Sequence, residues 1–166
     1  MITPAFVQMM AAYNAEMNRR VFAAAGRMTD AERREDRRLF WGSLHGTLNH
    51  LLWGDRVWMC RFANRPEPEL HIRQSNQLFA DFGELSTERA RTDAEISAWA
   101  AVVDQAWLDQ DLVWVVSGTQ RELCRPRMLA VAHFFNHQTH HRGQAHAVLT
   151  YFGHGPGDTD LPLVLP

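Results

Sequence analysis

The sequence His133-Phe-Phe-Asn-His-Gln-Thr-His-His-Arg-Gly-Gln144 lies within the last helical pattern of the chain. Apolar residues around it recur at the spacing of one helix face, which predicts a helix from about Pro126 to Phe152. The apolar positions of that face are Val131, Phe134, Phe135, Ala145, Leu149 and Phe152. This segment is therefore expected to pack one face into a helical core.

Histidines in this helix fall at a spacing that suits a metal ion. Residues four apart lie on the same helix face, so His137 and His141 can direct their imidazoles at one point. Both lie in or beside the apolar arc, whereas His133 and His140 are rotated away from it. A divalent ion accepts imidazole nitrogens at about 2.0–2.1 Å. The alternative is a set of surface or hydrogen-bonded histidines.

A second helical pattern contains another histidine in an unusual setting. Gly46, His50 and Gly54 are four residues apart, so His50 lies between two residues without side chains. Glycine inside a helix lowers its stability by about 1 kcal/mol relative to alanine, so two glycines here indicate a structural or functional requirement. Open space around a metal-binding imidazole is one reason, and close helix packing is the other. Trp53 is expected to form an aromatic wall of the same cavity or to belong to the core.

The first half of the chain predicts two long helices. The first spans Pro4 to Gly26, where apolar residues form one stripe. The second begins after Ser43, a good N-cap, and ends before Arg65-Pro-Glu-Pro68. Between them, Asp30-Ala-Glu-Arg-Arg-Glu-Asp-Arg-Arg38 carries both signs of charge and is expected to be a solvated helical face.

The second half begins with a long connection over residues 66–85. A third helix is expected from a cap at Ser86 or Thr87 to about Asp109. The runs 112–116 and 119–124 flank Ser117-Gly118, which predicts a short β-hairpin before the last helix. The last nine residues are expected to be extended. The chain thus predicts an all-α fold, a four-helix bundle with a small hairpin, in a single domain over residues 1–166.

Composition excludes several functional classes. The chain has 17 Lys and Arg against 19 Asp and Glu, a formal net charge of −2. No broad basic surface is therefore expected for nucleic acid. The start Met1–Phe6 lacks the pattern of a secretory signal, and no apolar stretch is long enough to span a membrane. We expect no nucleic-acid partner, no membrane association and a cytoplasmic location.

The two cysteines, Cys60 and Cys124, are not in a Cys-x-x-Cys pair. A disulfide between them is one possibility, and two free thiols in a reducing compartment is the simpler one. Neither has a neighbour that would activate a thiolate, so buried structural thiols are expected.

Four stretches resemble the DinB-like superfamily, which includes bacillithiol transferases and mycothiol-dependent maleylpyruvate isomerases. They are Tyr13–Asn18, Leu48–Trp58, Asn136–Gln144 and the tail Gly157–Pro162. The resemblance implies an up-down-down-up four-helix bundle, often a homodimer. It also implies a site for one divalent ion, zinc or nickel, held by His50, His137 and His141.

The resemblance suggests a metal-dependent enzyme that transfers a thiol to a small electrophilic molecule, with a low-molecular-weight thiol as a partner. The rival hypothesis is a non-catalytic, metal-stabilised dimer that acts in a stress response or binds a ligand. An open position beside a pocket favours the enzyme, and a closed site with a fourth protein ligand favours the rival.

Arg142 and Gln144 follow the histidine pair in the last helix. One of them could orient a ligand or substrate, and the alternative is that they are solvated helix residues.

Overall fold

Four long helices form a bundle in a computed structural model that describes residues 2–116 and 119–165. Helix α1 packs against α4 and α6, and α3 packs against the same two helices. The predicted all-α, up-down-down-up bundle with a small hairpin is confirmed. The long helices are α1 (Pro4–Gly26), α3 (Leu44–Phe62), α4 (Phe82–Val102) and α6 (Arg127–Tyr151).

Side-chain caps decide where the long helices begin. The side chains of Thr3, Ser43 and Asp81 each accept a hydrogen bond from the backbone N–H three residues on. The prediction that the third helix starts at Ser86 or Thr87 is wrong, because the Asp81 carboxylate caps it a turn earlier and the Thr87 hydroxyl donates to a carbonyl within the helix.

The same helix also ends earlier than the predicted Asp109. Helix α4 stops at Val102, and the extended backbone of Val103 separates it from the short α5, Gln105–Leu108. The carboxylate of Asp104 caps α5 through the N–H of Trp107. A new cap within the pattern therefore divides one predicted helix into two.

Short elements occupy the connections. The charged run predicted as a solvated helical face forms a helix only over its first half, α2 (Asp30–Arg34), which is solvated and begins with a capping box of Thr29 and Glu32. Residues 35–38 lie outside any helix. The long connection from α3 to α4 contains a short 3₁₀ helix, Ile72–Gln77. The tail, predicted to be extended, forms helix α7 at Leu161–Val164.

The predicted hairpin is present, with Asp111 opposite Pro126 in an antiparallel register. Strand β1 spans Asp111–Val115 and β2 spans Glu122–Pro126. The predicted turn at Ser117-Gly118 lies outside the described residues. Pro126 ends β2 and precedes α6 as its N-cap instead of occupying its first turn.

The bundle interior has two apolar clusters with a buried polar layer between them. One cluster contains Val7, Phe62 and Phe134, and the other contains Val21 and Leu149. On each long helix, buried polar residues fall between the positions of the two clusters. These residues are Asn14, Asn18, Asp55, Arg89, Asp93, Gln138 and Arg142. Among the described residues, no helix is long and apolar enough to cross a lipid bilayer.

Candidate metal centre

Three histidines from two neighbouring helices meet at one point. His50 lies on α3, and His137 and His141 lie one turn apart on α6. One ring nitrogen from each residue lies within 4.8 Å of the other two. The Nε2 atoms of His50 and His137 are 3.1 Å apart. Two nitrogens bound to one tetrahedral ion at 2.0–2.1 Å would be about 3.3 Å apart, so the observed spacing needs little adjustment.

Hydrogen bonds hold two of the rings in place. The Nδ1 atom of His141 lies 2.8 Å from Oε1 of Gln144, and Nδ1 of His50 lies 2.8 Å from the hydroxyl of Ser75. An amide oxygen only accepts, so the His141 Nδ1 carries the hydrogen and Nε2 presents a lone pair. Such partners set the tautomer and orientation of metal-binding histidines. Of the two alternatives for Gln144, the structure favours the orienting role.

The two glycines beside His50 accommodate neighbouring groups. A Cβ atom on Gly54 would lie 2.9 Å from Cε1 of His137. On Gly46 it would lie 2.4 Å from the carbonyl oxygen of Trp41. Close packing therefore explains Gly46, whereas Gly54 makes room for an imidazole of the histidine cluster.

Replacing Gly54 with alanine is expected to weaken divalent-metal binding by about tenfold or more while the bundle stays folded. The added methyl group would displace the His137 ring, and alanine favours the helix by about 1 kcal/mol. Zinc titration with a competing chelator measures the affinity. Gly143→Ala is the matched control, since its Cβ would meet no atom within 4 Å. Equal affinities for the two variants would contradict this account of Gly54.

Burial keeps the clustered imidazoles neutral. It lowers the pKa of His50 and of His137 to about 3, and the neighbouring histidines add to the effect. Burial also lowers the pKa of His141, against the opposing effect of the hydrogen bond that His141 donates to Gln144. Neutral imidazoles are the form that binds metal, so the cluster is ready to accept an ion without releasing protons at neutral pH.

The metal-free protein is expected to lose stability as the pH falls from about 6.5 toward 3. His50 and His137 have a pKa of about 3 when folded, against 6.5 for an ordinary histidine. The unfolded chain therefore binds more protons across this range, at up to about 1.4 kcal/mol per pH unit for each residue. Urea titrations at several pH values measure the free energy of unfolding. It should depend less steeply on pH in the double variant His50→Gln, His137→Gln than in the parent. Equal slopes would contradict the prediction.

The cluster lies at the wall of a cavity of about 480 Å³. The Trp41 ring stacks on His50 at a centroid distance of 4.0 Å, and Trp53 lies 5.9 Å from the same ring. Trp58 and Trp114 line the cavity further out. A small molecule next to the histidines would therefore contact mainly aromatic surfaces.

One arginine also lines this cavity. Arg61 forms a two-point ion pair with Glu67, and its guanidinium lies 4.7 Å from the centre of the Trp58 ring. The pair places a charged group in a wall otherwise built mainly of aromatic rings and imidazoles. Sequence reasoning gave no role to Arg61, and its place at the end of α3 carried no signal for one.

His133 and His140 line the cavity but do not belong to the cluster of three. Asp55, a poor ligand candidate from its spacing, forms a buried ion pair with Arg89. Arg142 is 4% exposed, so the alternative of a solvated residue is wrong. It lies on the bundle-facing side of α6 because it follows His141 in the same buried arc.

Both cysteines are free thiols, as the simpler alternative predicted. Cys60 is half-buried, and burial raises the pKa of its thiol. Cys124 is exposed on β2, so the prediction that both thiols are buried is wrong for this residue. Most of strand β2 is exposed because the hairpin has only two strands, and the Cys124 side chain is therefore in solvent.

Sequence reasoning missed Ser75 and Trp41, which both contact His50. They lie on segments outside the long helices, 25 and 9 residues from His50 in sequence. Helical periodicity carries no information about such positions. The contacts of Ser75 and Trp41 with the His50 ring therefore become visible only in the folded structure.

The donor set fits a divalent ion. Three imidazoles offer one ring nitrogen each to one point. Within residues 2–116 and 119–165, no fourth His, Cys, Asp or Glu joins this group. Three protein donors beside a cavity are the arrangement of an open site. Fold and site together define a four-helix bundle with a three-histidine centre.

Comparison with known proteins identifies the family. The chain matches the DinB family over residues 1–165 and belongs to it. Its fold is similar to that of YfiT from Bacillus subtilis, described as a probable metal-dependent hydrolase with an unusual four-helix bundle topology. The two chains are 15% identical, and the match covers 92% of this chain and 91% of YfiT with a TM-score of 0.66. No curated protein matches the chain significantly.

Proposed function

We propose that this protein is a metal-dependent enzyme in which His50, His137 and His141 hold one divalent ion, zinc or nickel. The observation that carries the proposal is the meeting of three neutral imidazoles at the wall of an aromatic cavity. A divalent ion with an open position can lower the pKa of a water or thiol and so supply a nucleophile near neutral pH.

The residues around the ion have separate roles in this proposal. Ser75 and Gln144 hold the His50 and His141 rings through Nδ1, so that Nε2 faces the ion. Trp41 covers one face of His50 and limits access of water from that side. Removing such supporting groups typically costs about 10–100-fold in metal affinity.

We propose a low-molecular-weight thiol as the nucleophile and a small electrophile as its acceptor. A cavity of about 480 Å³ is within the size range of small-molecule pockets. Its apolar walls, Trp41, Trp53 and Trp58, favour a planar or apolar acceptor. The sulfur would form a bond to the electrophilic carbon as the bond from that carbon to a leaving group breaks. The leaving group would take the electron pair of that bond, and the thiol proton would go to it or to solvent.

Hydrolysis is the second candidate, because YfiT, the structural relative, is described as a probable metal-dependent hydrolase. The same open position would then bind water instead of a thiol.

We further propose that the protein is a homodimer in the cytoplasm. Light scattering at micromolar concentration tests the dimer, and cell fractionation tests the location.

The function is tested on protein purified without an affinity tag. Elemental analysis should find about one zinc or nickel per chain. The protein is then incubated with a panel of small thiols and electrophiles, and thiol loss is followed with and without added metal. His50→Ala is the inactive control, and a panel of small esters and amides without thiol tests hydrolysis.

Thiol loss that requires the metal and His50 supports the transferase. Metal-dependent cleavage without thiol supports the hydrolase instead. If the metal-loaded protein consumes nothing in either panel, the enzyme proposal fails and the non-catalytic, metal-stabilised dimer takes its place.

A further inference from the structure

A second cavity, of about 350 Å³, lies on the other side of α6 from the metal centre. It is bounded by α1, α6 and the segment before α7, and it shares no lining residue with the aromatic cavity. Tyr13 and Val21 line it from α1, and Arg142 and His146 line it from α6. The hydroxyl of Tyr13 donates to the carbonyl of Thr159, which ties the C-terminal segment over this side of the bundle.

The cation in this cavity has only neutral partners. Arg142 is 4% exposed, and it donates to Oε1 of Gln138 at 3.2 Å and to the Thr139 hydroxyl at 3.4 Å. Across residues 2–116 and 119–165, no carboxylate lies within ion-pair distance of it. The nearest acids of the polar layer, Asp55 and Asp93, both pair with Arg89. Asp55 and Asp93 attract Arg142 at longer range, but neither carboxylate contacts its guanidinium. An anion in this cavity would therefore give Arg142 a direct ion-pair partner that the polar layer does not supply.

Gly143 provides a second, independent observation. It lies inside α6, where glycine costs about 1 kcal/mol relative to alanine. A Cβ atom there would meet nothing within 4 Å, so no contact within the described chain requires glycine. Gly54 differs, because a neighbouring ring occupies its space. Glycine at a position free of neighbours permits close approach by a molecule from outside.

We propose that this cavity binds a small organic anion, whose carboxylate or phosphate group pairs with Arg142. A guanidinium presents a fork of N–H donors that matches either group. Met17 and Val21 supply apolar surface for a short hydrocarbon part of the ligand. His146 lines the same cavity, and its Nδ1 lies 3.3 Å from the Thr150 hydroxyl. The proposal does not depend on the reaction at the metal centre.

The test uses the zinc-loaded, full-length protein and NMR signals of the His146 ring. Sodium butyrate and inorganic phosphate are titrated separately at constant ionic strength, with butyramide as the uncharged analogue of butyrate. We expect saturable shifts at His146 with one or both anions, and binding of butyramide at least about tenfold weaker than butyrate. The tighter anion identifies whether the site prefers a carboxylate or a phosphate.

Two variants localise the binding. Gly143→Leu places a bulky side chain on the lining of the cavity and should weaken anion binding by about tenfold or more. Ala147→Leu adds the same side chain one turn on, at an exposed position outside the cavity, and should bind like the parent. Arg142→Gln should abolish binding. If Arg142→Gln does not fold, the comparison of Gly143→Leu with Ala147→Leu tests the site.

Four results would overturn the proposal. His146 would not respond to butyrate or to phosphate, or butyramide would bind as tightly as butyrate. A third contrary result is that Gly143→Leu and Ala147→Leu bind the anion equally well. Shifts confined to His137 and His141 would place the anion at the metal centre and count against the second site.

Discussion

Replacing His50 with alanine is expected to weaken zinc or nickel binding by more than about 100-fold while the bundle stays folded. Structural zinc sites bind with about 10–16 kcal/mol in total, so one imidazole of three accounts for at least about 3 kcal/mol. The bundle itself rests on two apolar clusters, which the substitution leaves intact. Loss of the ring beside Trp41 should cost about 1–2 kcal/mol, a fraction of typical stability.

Circular dichroism and a metal titration on the same sample measure both effects. Because binding to the native state raises stability by mass action, added metal should raise the melting temperature of the parent and leave that of His50→Ala unchanged. His140→Ala is the matched control, since this histidine lines the same cavity outside the cluster.

Two results would contradict the assignment in different ways. Tight binding by His50→Ala, with the fold intact, would show that His50 is not a ligand. Unfolding of His50→Ala at room temperature would make the ion a structural element and remove the main support for an enzyme.

Replacing Arg89 with methionine is expected to lower the free energy of unfolding by about 3–5 kcal/mol. The side chain of Arg89 is 2% exposed and pairs with Asp55 at 2.5 Å and Asp93 at 2.8 Å. Methionine fills similar volume but leaves two buried carboxylates without their ion-pair partner. The cost is that of the uncompensated charges, which exceeds the net value of the ion pairs themselves.

Urea unfolding compares this variant with Arg91→Met, the same change on the same helix at a side chain that is 70% exposed. Arg91→Met should cost less than about 0.5 kcal/mol. Equal stabilities of the two variants would contradict the account of the polar layer.

The loss in Arg89→Met should be larger at pH 7 than at pH 4. Burial already raises the pKa of Asp55 to about 6 in the parent, and it raises that of Asp93 as well. Removal of the guanidinium raises the pKa of both carboxyl groups further, so lowering the pH protonates them more readily than in the parent and relieves the uncompensated charge. A loss that does not depend on pH would assign the cost to packing alone.

Sequence alone was enough for the features that depend on local helical geometry. The bounds of α1, the cap at Ser43 and the shared face of His137 and His141 follow from a repeat of 3.6 residues and from capping chemistry. These relations involve residues within a turn or two of each other. The same geometry separates His133 and His140 from the cluster, as the structure also has it.

Tertiary structure alone decided which distant groups meet. The contact of Gly54 with the His137 ring joins residues 83 positions apart on two helices, and the Ser75 hydroxyl reaches His50 from a connection without helical periodicity. The burial of Arg142 beside neutral partners is likewise a result of how α1 packs on α6. Such contacts depend on the rotation and depth of each helix in the bundle, which the packing of all side chains sets together and no local pattern encodes.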